Sequence, residues 1–252
     1  MNFYDQGLPI LGGLVVFSLI LIPAHRMPLQ PTWIFDFDST LVRVEALDEL
    51  ADIALAGVPD RQVQLERIRQ VTRLGMEGAM SIEQSLQSRL ALLSLRPEMI
   101  PALIERLVAN FTPSFWRLRD RLAMMRDQIW VVSGGCHEWI EPTVSRLGLR
   151  TDQVIANRLR RRSDGTLELD PHSPCAVDHG KATAIMARNL AKPRIMVGDG
   201  MTDWQVRELN ACETFVCFTE VVHRESVATK ADAVAASLEE VLAIDIQSTP
   251  ES

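Results

Sequence analysis

Apolar residues fall in two rhythms along this chain. Four short runs, Trp33-Ile34-Phe35, Ile129-Trp130-Val131-Val132, Ile195-Met196-Val197 and Thr214-Phe215-Val216-Cys217-Phe218, are nearly unbroken and read as strands buried on both faces. From residue 44 to 110 the spacing changes to three and four. Ala46, Leu47, Leu50 and Ile53, then Leu65, Ile68 and Val71, then Ile82, Leu86, Leu90 and Leu93, mark successive amphipathic helices. Ser81 with Gln84 three residues on is a capping-box start, and Pro97 and Pro101 bracket the opening of a further helix that carries Ile100, Leu103, Ile104 and Leu107. The pattern predicts an α/β core with a compact helical insertion placed after the first strand, where it would cover a site. Residues 154–169 read as a hairpin around Ser163-Asp164-Gly165, with Arg158, Arg160, Arg161 and Arg162 on a solvated edge. A helix opening near Lys181, a short strand near residues 231–234 and a closing helix near residues 238–242 complete the pattern.

Residues 8–22 are almost wholly apolar and contain no Asp, Glu, Lys or Arg. As a helix this stretch would span about 22 Å, short of the roughly 30 Å hydrocarbon core of a bilayer. A secretory signal fits poorly, because residues 1–7 hold Asp5 and no base. Two readings stay open: a membrane anchor, or an extension ahead of a true start at Met27. The predicted division is a leader at residues 1–27, an α/β core at 28–43 and 111–252, and a helical cap at 44–110. A net charge of −7 argues against nucleic-acid binding, which needs a basic face. Cys136, Cys175, Cys212 and Cys217 form no CxxC pair, so reduced thiols and a cytoplasmic location are expected unless the leader anchors the chain to a membrane.

The chemistry lies at strand ends. The first run closes in Asp36-Phe37-Asp38-Ser39-Thr40, where two carboxylates could be turn formers or a helix cap, or a nucleophile and a site for a hard cation. The second runs into Ser133-Gly134-Gly135, either an ordinary tight turn or a cradle in which backbone N–H groups approach an anion. The third, with Lys181 ahead of it, closes in Gly198-Asp199-Gly200-Met201-Thr202-Asp203. Neighbouring parallel strands align their carboxyl ends, so these clusters would meet in one crevice.

In this order the motifs DFDST, SGG, Lys181 and GDGMTD resemble the haloacid dehalogenase superfamily and, within it, its phosphoserine phosphatases. The resemblance covers residues 33 to about 242. It implies a doubly wound, Rossmann-like parallel sheet with a helical-bundle cap, and Mg²⁺-dependent hydrolysis of O-phospho-L-serine in serine biosynthesis. Asp36 would be the nucleophile that becomes an aspartyl-phosphate. Asp38 would protonate the leaving alkoxide and then activate water. Ser133, with Gly134 and Thr202 beside it, and Lys181 would hold phosphate oxygens. Asp36, Asp199 and the backbone carbonyl of Asp38 would hold Mg²⁺, supported by Asp203. Glu45 and Arg89 match positions that engage the substrate's amino and carboxylate groups, with Met76 in the same cap; a helix-terminal acid and a surface base are their plainer readings. Cys136, Ile82 and Thr202 depart from residues common in the family. The first two could loosen the pocket and leave open another small phosphomonoester, such as phosphohomoserine, whereas Thr202 occurs in some relatives; a membrane-anchored binding protein without turnover is the rival of another class.

Overall fold

The computed structural model describes residues 30–76 and 79–244, so the apolar leader and both of its readings lie outside the described residues. Strand β1 (Thr32–Phe35) leads through a wide turn at Phe37–Leu41 into helices α1 (Ala46–Ala54), α2 (Arg61–Met76), α3 (Ile82–Leu93) and α4 (Ile100–Ala109). Helices α5 (Pro113–Arg117) and α6 (Arg119–Met125) precede β2 (Ile129–Cys136), α7 (His137–Ser145), β3 (Val154–Asn157) and the short strands β4 (Leu159–Arg161) and β5 (Leu167–Leu169). The chain continues as α8 (Gly180–Ala187), β6 (Arg194–Gly198), α9 (Met201–Glu208), β7 (Thr214–Phe218), α10 (Glu225–Ala228), β8 (Ala233–Ala235) and α11 (Leu238–Val241).

Six strands form one parallel sheet in the order β3-β2-β1-β6-β7-β8. Side chains alternate across it, which is why the central stretches of β1, β2, β6 and β7 are apolar on both faces. Trp33, Phe35, Val131, Val197 and Phe218 enter one core, while Ile34, Val132, Met196, Phe215 and Cys217 enter the other. The strand order reverses at β1 and β6, so the topological switch point lies between them, where such sheets open a crevice beyond their carboxyl ends.

The helical segment enters and leaves through a two-stranded neck. Val42 and Phe111 form an antiparallel bridge, Arg43 N donates to Asn110 O at 2.9 Å, and Thr112 N donates to Leu41 O at 3.0 Å. Beyond the neck, α1, α3 and α4 pack together and α4 also packs on α7, so Leu50, Leu90 and Leu103 share one apolar cluster with Phe35 and Val131. Ser81 caps α3, accepting Gln84 N–H at 3.2 Å.

Two local expectations are corrected. Residues 154–169 are not one hairpin: β3 joins the parallel sheet beside β2, and only β4 and β5 pair antiparallel, Leu159 opposite Leu169. Val154, Ile155, Ala156 and Asn157 are all buried, which an exposed hairpin arm would not achieve. Likewise Ser133-Gly134-Gly135 is no turn after β2, because the strand continues through it to Cys136 with an irregularity of register between Val132 and Cys136. Among the described residues no helix is long and apolar enough to cross a membrane.

Candidate active site

The register of the sheet brings the polar strand ends together. Phe35 lies opposite Val131 on one side and Val197 on the other, so Asp36, Ser133 and Asp199 follow within two residues of one line across three strands. Asp36 N donates to Val197 O at 2.9 Å, which continues the ladder to the point where the chain turns. There Asp38 stays extended and Ser39 adopts a left-handed conformation, φ 53°. The turn is stapled to the helical segment. Ala46 N–H donates to Asp38 Oδ1 at 2.8 Å, and Ser39 Oγ donates to Glu45 Oε1 at 2.7 Å. Asp38 thus caps the amino end of α1 from a distance, while its neighbour Asp36 faces the crevice.

Lys181, at the start of α8, reaches Asp36 Oδ1 at 2.8 Å and Asp203 Oδ1 at 2.7 Å. Asp203 is fully buried, and its other oxygen accepts Gly200 N–H at 3.0 Å. Gly198 makes room for that carboxylate. A Cβ on Gly198 would stand 2.3 Å from Asp203 Oδ2, so any other residue would expel it. Asp199, one residue on, accepts from Arg224 Nε at 3.0 Å. Arg224 was not singled out from the sequence, because it sits outside the motifs in the loop between β7 and α10.

Burial and crowding set the charge of these groups. Burial first, and Glu45 second, push the Asp38 carboxyl up to about 8, against the Ala46 hydrogen bond. Asp199 rises to about 6 through burial and Asp203, moderated by Arg224. Asp36 is raised by burial and by Asp203, with Lys181 drawing it back. Burial works against the Lys181 charge, but Asp203 and Asp36 outweigh it and hold the ammonium charged.

Asp36, Asp199 and Asp203 offer carboxylate oxygens within 4.8 Å of one another, all buried. A site made of hard oxygen donors suits Mg²⁺ rather than a thiophilic metal. Both Asp203 oxygens already serve Lys181 and Gly200, so Asp36 and Asp199 are the better donors. The Asp38 carboxylate stands apart from the trio, turned to α1.

The other sequence-selected residues surround this centre. Ser133 is buried, and its Oγ accepts Gly135 N–H at 2.9 Å. Gly134 is exposed, and a Cβ there would meet nothing within 4 Å. Gly135 is the more closely packed of the two, since a Cβ would stand 2.9 Å from Ile140 Cδ1 and the isoleucine tip would have to shift. Thr202 is exposed in the first turn of α9. Arg89 lies on α3, where burial lowers its affinity for the proton while Asp48, Glu45 and Asp38 face its charge and favour it. Asp48, also missed from the sequence, is one turn along α1 from Glu45. The Met76 side chain lies outside the described residues.

Fold and site together define a class: an open parallel α/β sheet whose switch-point crevice sets a buried lysine among carboxylates. The chain belongs to the haloacid dehalogenase-like hydrolases, whose family model matches residues 33–207. It is 34% identical over 200 residues to the human protein named phosphoserine phosphatase, covering 77% of this chain and 83% of that one. To the chloroplastic phosphoserine phosphatase of Arabidopsis thaliana it is 30% identical over 202 residues, 79% of this chain and 66% of the plant protein's length. A solved structure described as a phospho-aspartyl intermediate analogue of phosphoserine phosphatase superposes with a TM-score of 0.64 at 28% identity, covering 84% of this chain and 98% of the other.

Proposed function

We propose that this chain is a Mg²⁺-dependent phosphatase that hydrolyses O-phospho-L-serine, with residues 44–110 as its cap. The observation that carries this reading is the contrast between Asp36 and Asp38. Two buried carboxylates two residues apart are given different partners, Asp36 the Lys181 ammonium and Asp38 the Ala46 N–H with the Glu45 charge beside it. That is the division a nucleophile and a general acid require.

The steps follow from the positions. The phosphoryl group would lie between Asp36, Lys181 and Ser133, its oxygens neutralised by the ammonium and bonded by the Ser133 hydroxyl. Asp36 attacks phosphorus as the bond to the serine oxygen breaks, and protonated Asp38 passes its proton to that departing oxygen. Asp38, now a carboxylate, takes a proton from water as the water attacks the aspartyl-phosphate, which frees phosphate and restores Asp36. Asp36, Asp199 and the backbone carbonyl of Asp38 would hold Mg²⁺, which when bound supplies charge neutralisation for the nucleophile and the phosphoryl oxygens. Asp203 keeps Lys181 aimed at Asp36. Glu45 would face the substrate ammonium and Arg89 its carboxylate, the pairings that charge complementarity selects.

Cys136, Cys175, Cys212 and Cys217 are buried and unpaired, which supports a reducing, cytoplasmic setting. A panel of phosphomonoesters assayed with Mg²⁺ and with EDTA tests the whole reading. O-phospho-L-serine should be preferred over phosphohomoserine and aryl phosphates and all turnover should stop with EDTA. Preference for another ester would keep the chemistry and replace the substrate.

A further inference from the structure

Where β2 departs from regular register, the ladder to β3 skips from the pair Val132 and Ile155 to the pair Cys136 and Asn157. The Asn157 side chain, fully buried, takes over in the gap. Its Nδ2 donates to Gly134 O at 2.8 Å, and its Oδ1 accepts Cys175 N–H at 2.9 Å. One short amide thereby ties the end of β2 to the loop before α8, using its donor for one and its acceptor for the other.

Each of these two segments leads to a group for the phosphoryl oxygens. Gly134 follows Ser133 directly. Cys175 lies under the start of α8, since a Cβ on Gly180 would stand 2.5 Å from Pro174 O and 2.9 Å from Cys175 Cα. Gly180 is therefore seated on that loop, and the next residue is Lys181, whose Nζ meets Asp36 at 2.8 Å. A displacement of the loop at Cys175 is passed to Lys181, and a displacement at Gly134 to Ser133. We propose that Asn157 is a positioning residue that sets the spacing between Ser133 and Lys181 and so the grip on the transferred phosphoryl group. The proposal rests on the phosphatase reading above. It assigns the residue a role that simple anchoring of β3 would not have, because anchoring would govern stability and leave the affinity for phosphate alone.

Asn157→Ala and Asn157→Asp in the full-length, Mg²⁺-loaded protein test this, with p-nitrophenyl phosphate as substrate and inorganic phosphate as inhibitor. Displacement by a fraction of an ångström to an ångström should lower kcat for Asn157→Ala by roughly ten- to a hundredfold and weaken inhibition by phosphate about tenfold, at a temperature where the variant is folded. Asn157→Asp adds a signature. The carboxyl that this change introduces can, when protonated, donate to Gly134 O as the amide does, whereas its ionised form repels that carbonyl. The kcat/KM of Asn157→Asp relative to wild type should therefore rise as pH falls from about 8 to about 5.5, while the ratio for Asn157→Ala stays level. Folded Asn157→Ala with kcat and phosphate inhibition within about twofold of wild type would overturn the proposal. Should Asn157→Ala not fold, an Asn157→Asp ratio that fails to rise toward low pH overturns it instead. Neither probe contains serine, so a wild-type protein that ignores O-phospho-L-serine would remove the substrate reading and leave this test standing.

Discussion

Arg224 donates from Nε to Asp199 Oδ2 at 3.0 Å, setting a cation from the loop after β7 against the carboxylate that follows β6. Asp199 is itself close to Asp36 and Asp203, so Arg224 balances part of a concentrated negative charge. Replacing it in Arg224→Gln should lower the melting temperature of the metal-free protein by about 2–4 °C, the equivalent of ~1 kcal/mol for a partly exposed ion pair in a chain of this size. Mg²⁺ restores the missing counter-charge, so the rise in Tm on adding Mg²⁺ should be larger in the variant than in wild type. Thermal unfolding across a Mg²⁺ titration checks both, and a smaller Mg²⁺ response would show that Arg224 orients Asp199 for the metal rather than competing with it.

Asp36→Asn should fold and lose turnover by at least about a thousandfold, because an amide cannot form the acyl phosphate. Asp36 is buried and disfavours its charge, so the metal-free variant should be no less stable than wild type at pH 8. Near-normal turnover by folded Asp36→Asn would end the aspartyl-phosphate mechanism.

The raised carboxyls make the metal-free protein sensitive to pH. Asp38 at about 8 and Asp199 at about 6 both lie above the unfolded value near 4, so the folded state binds more protons than the unfolded state between these limits. Their contribution is fully present below about pH 4 and is lost as pH rises through 6 and 8. Tm in EDTA should therefore fall more between pH 5 and 8 in wild type than in Asp38→Asn, which lacks one of the titrating groups. Equal slopes for the two proteins would contradict the environment assigned to Asp38.

Glu45 and Arg89 should govern which ester is used. Arg89→Ala should lose roughly 2–5 kcal/mol of transition-state stabilisation on O-phospho-L-serine, about 30- to several-thousand-fold in kcat/KM, and little on an aryl phosphate that has no carboxylate. Glu45→Gln should follow the same pattern more mildly. Equal losses on both esters would make these residues supports of the cap.

Two glycines of the motifs should behave oppositely. Gly198→Ala drives a methyl to within 2.3 Å of Asp203 Oδ2, so it should cost about 1–3 kcal/mol and detach Asp203 from Lys181, with a fall in kcat. Gly134→Ala meets open space and should leave Tm within about 1 °C of wild type. Denaturation and kinetics on the purified pair decide, and a destabilised Gly134→Ala would mean that the strand there needs glycine for its backbone.

What the sequence by itself determined was the part written in local patterns. A strand buried on both faces must be apolar along its whole length, so β1, β2, β6 and β7 stood out as runs, and the change to a spacing of three and four marked α1 to α4. Because parallel neighbours end on the same side, Asp36, Ser133 and Asp199 could be assigned to one crevice without coordinates. Only the tertiary structure decided where each polar atom is used. Asp38 turns to Ala46, eight residues away, while Asp203 holds Lys181 at a separation of 22, Asn157 holds Gly134 at 23 and Arg224 holds Asp199 at 25. The strand β3 was misread for the same reason, since Val154 to Asn157 become sheet rather than hairpin through pairing with β2, more than twenty residues upstream. Hydrogen bonds of this kind depend on angle and on tenths of an ångström, and those follow from how the helices and strands pack, which no periodicity in the chain encodes.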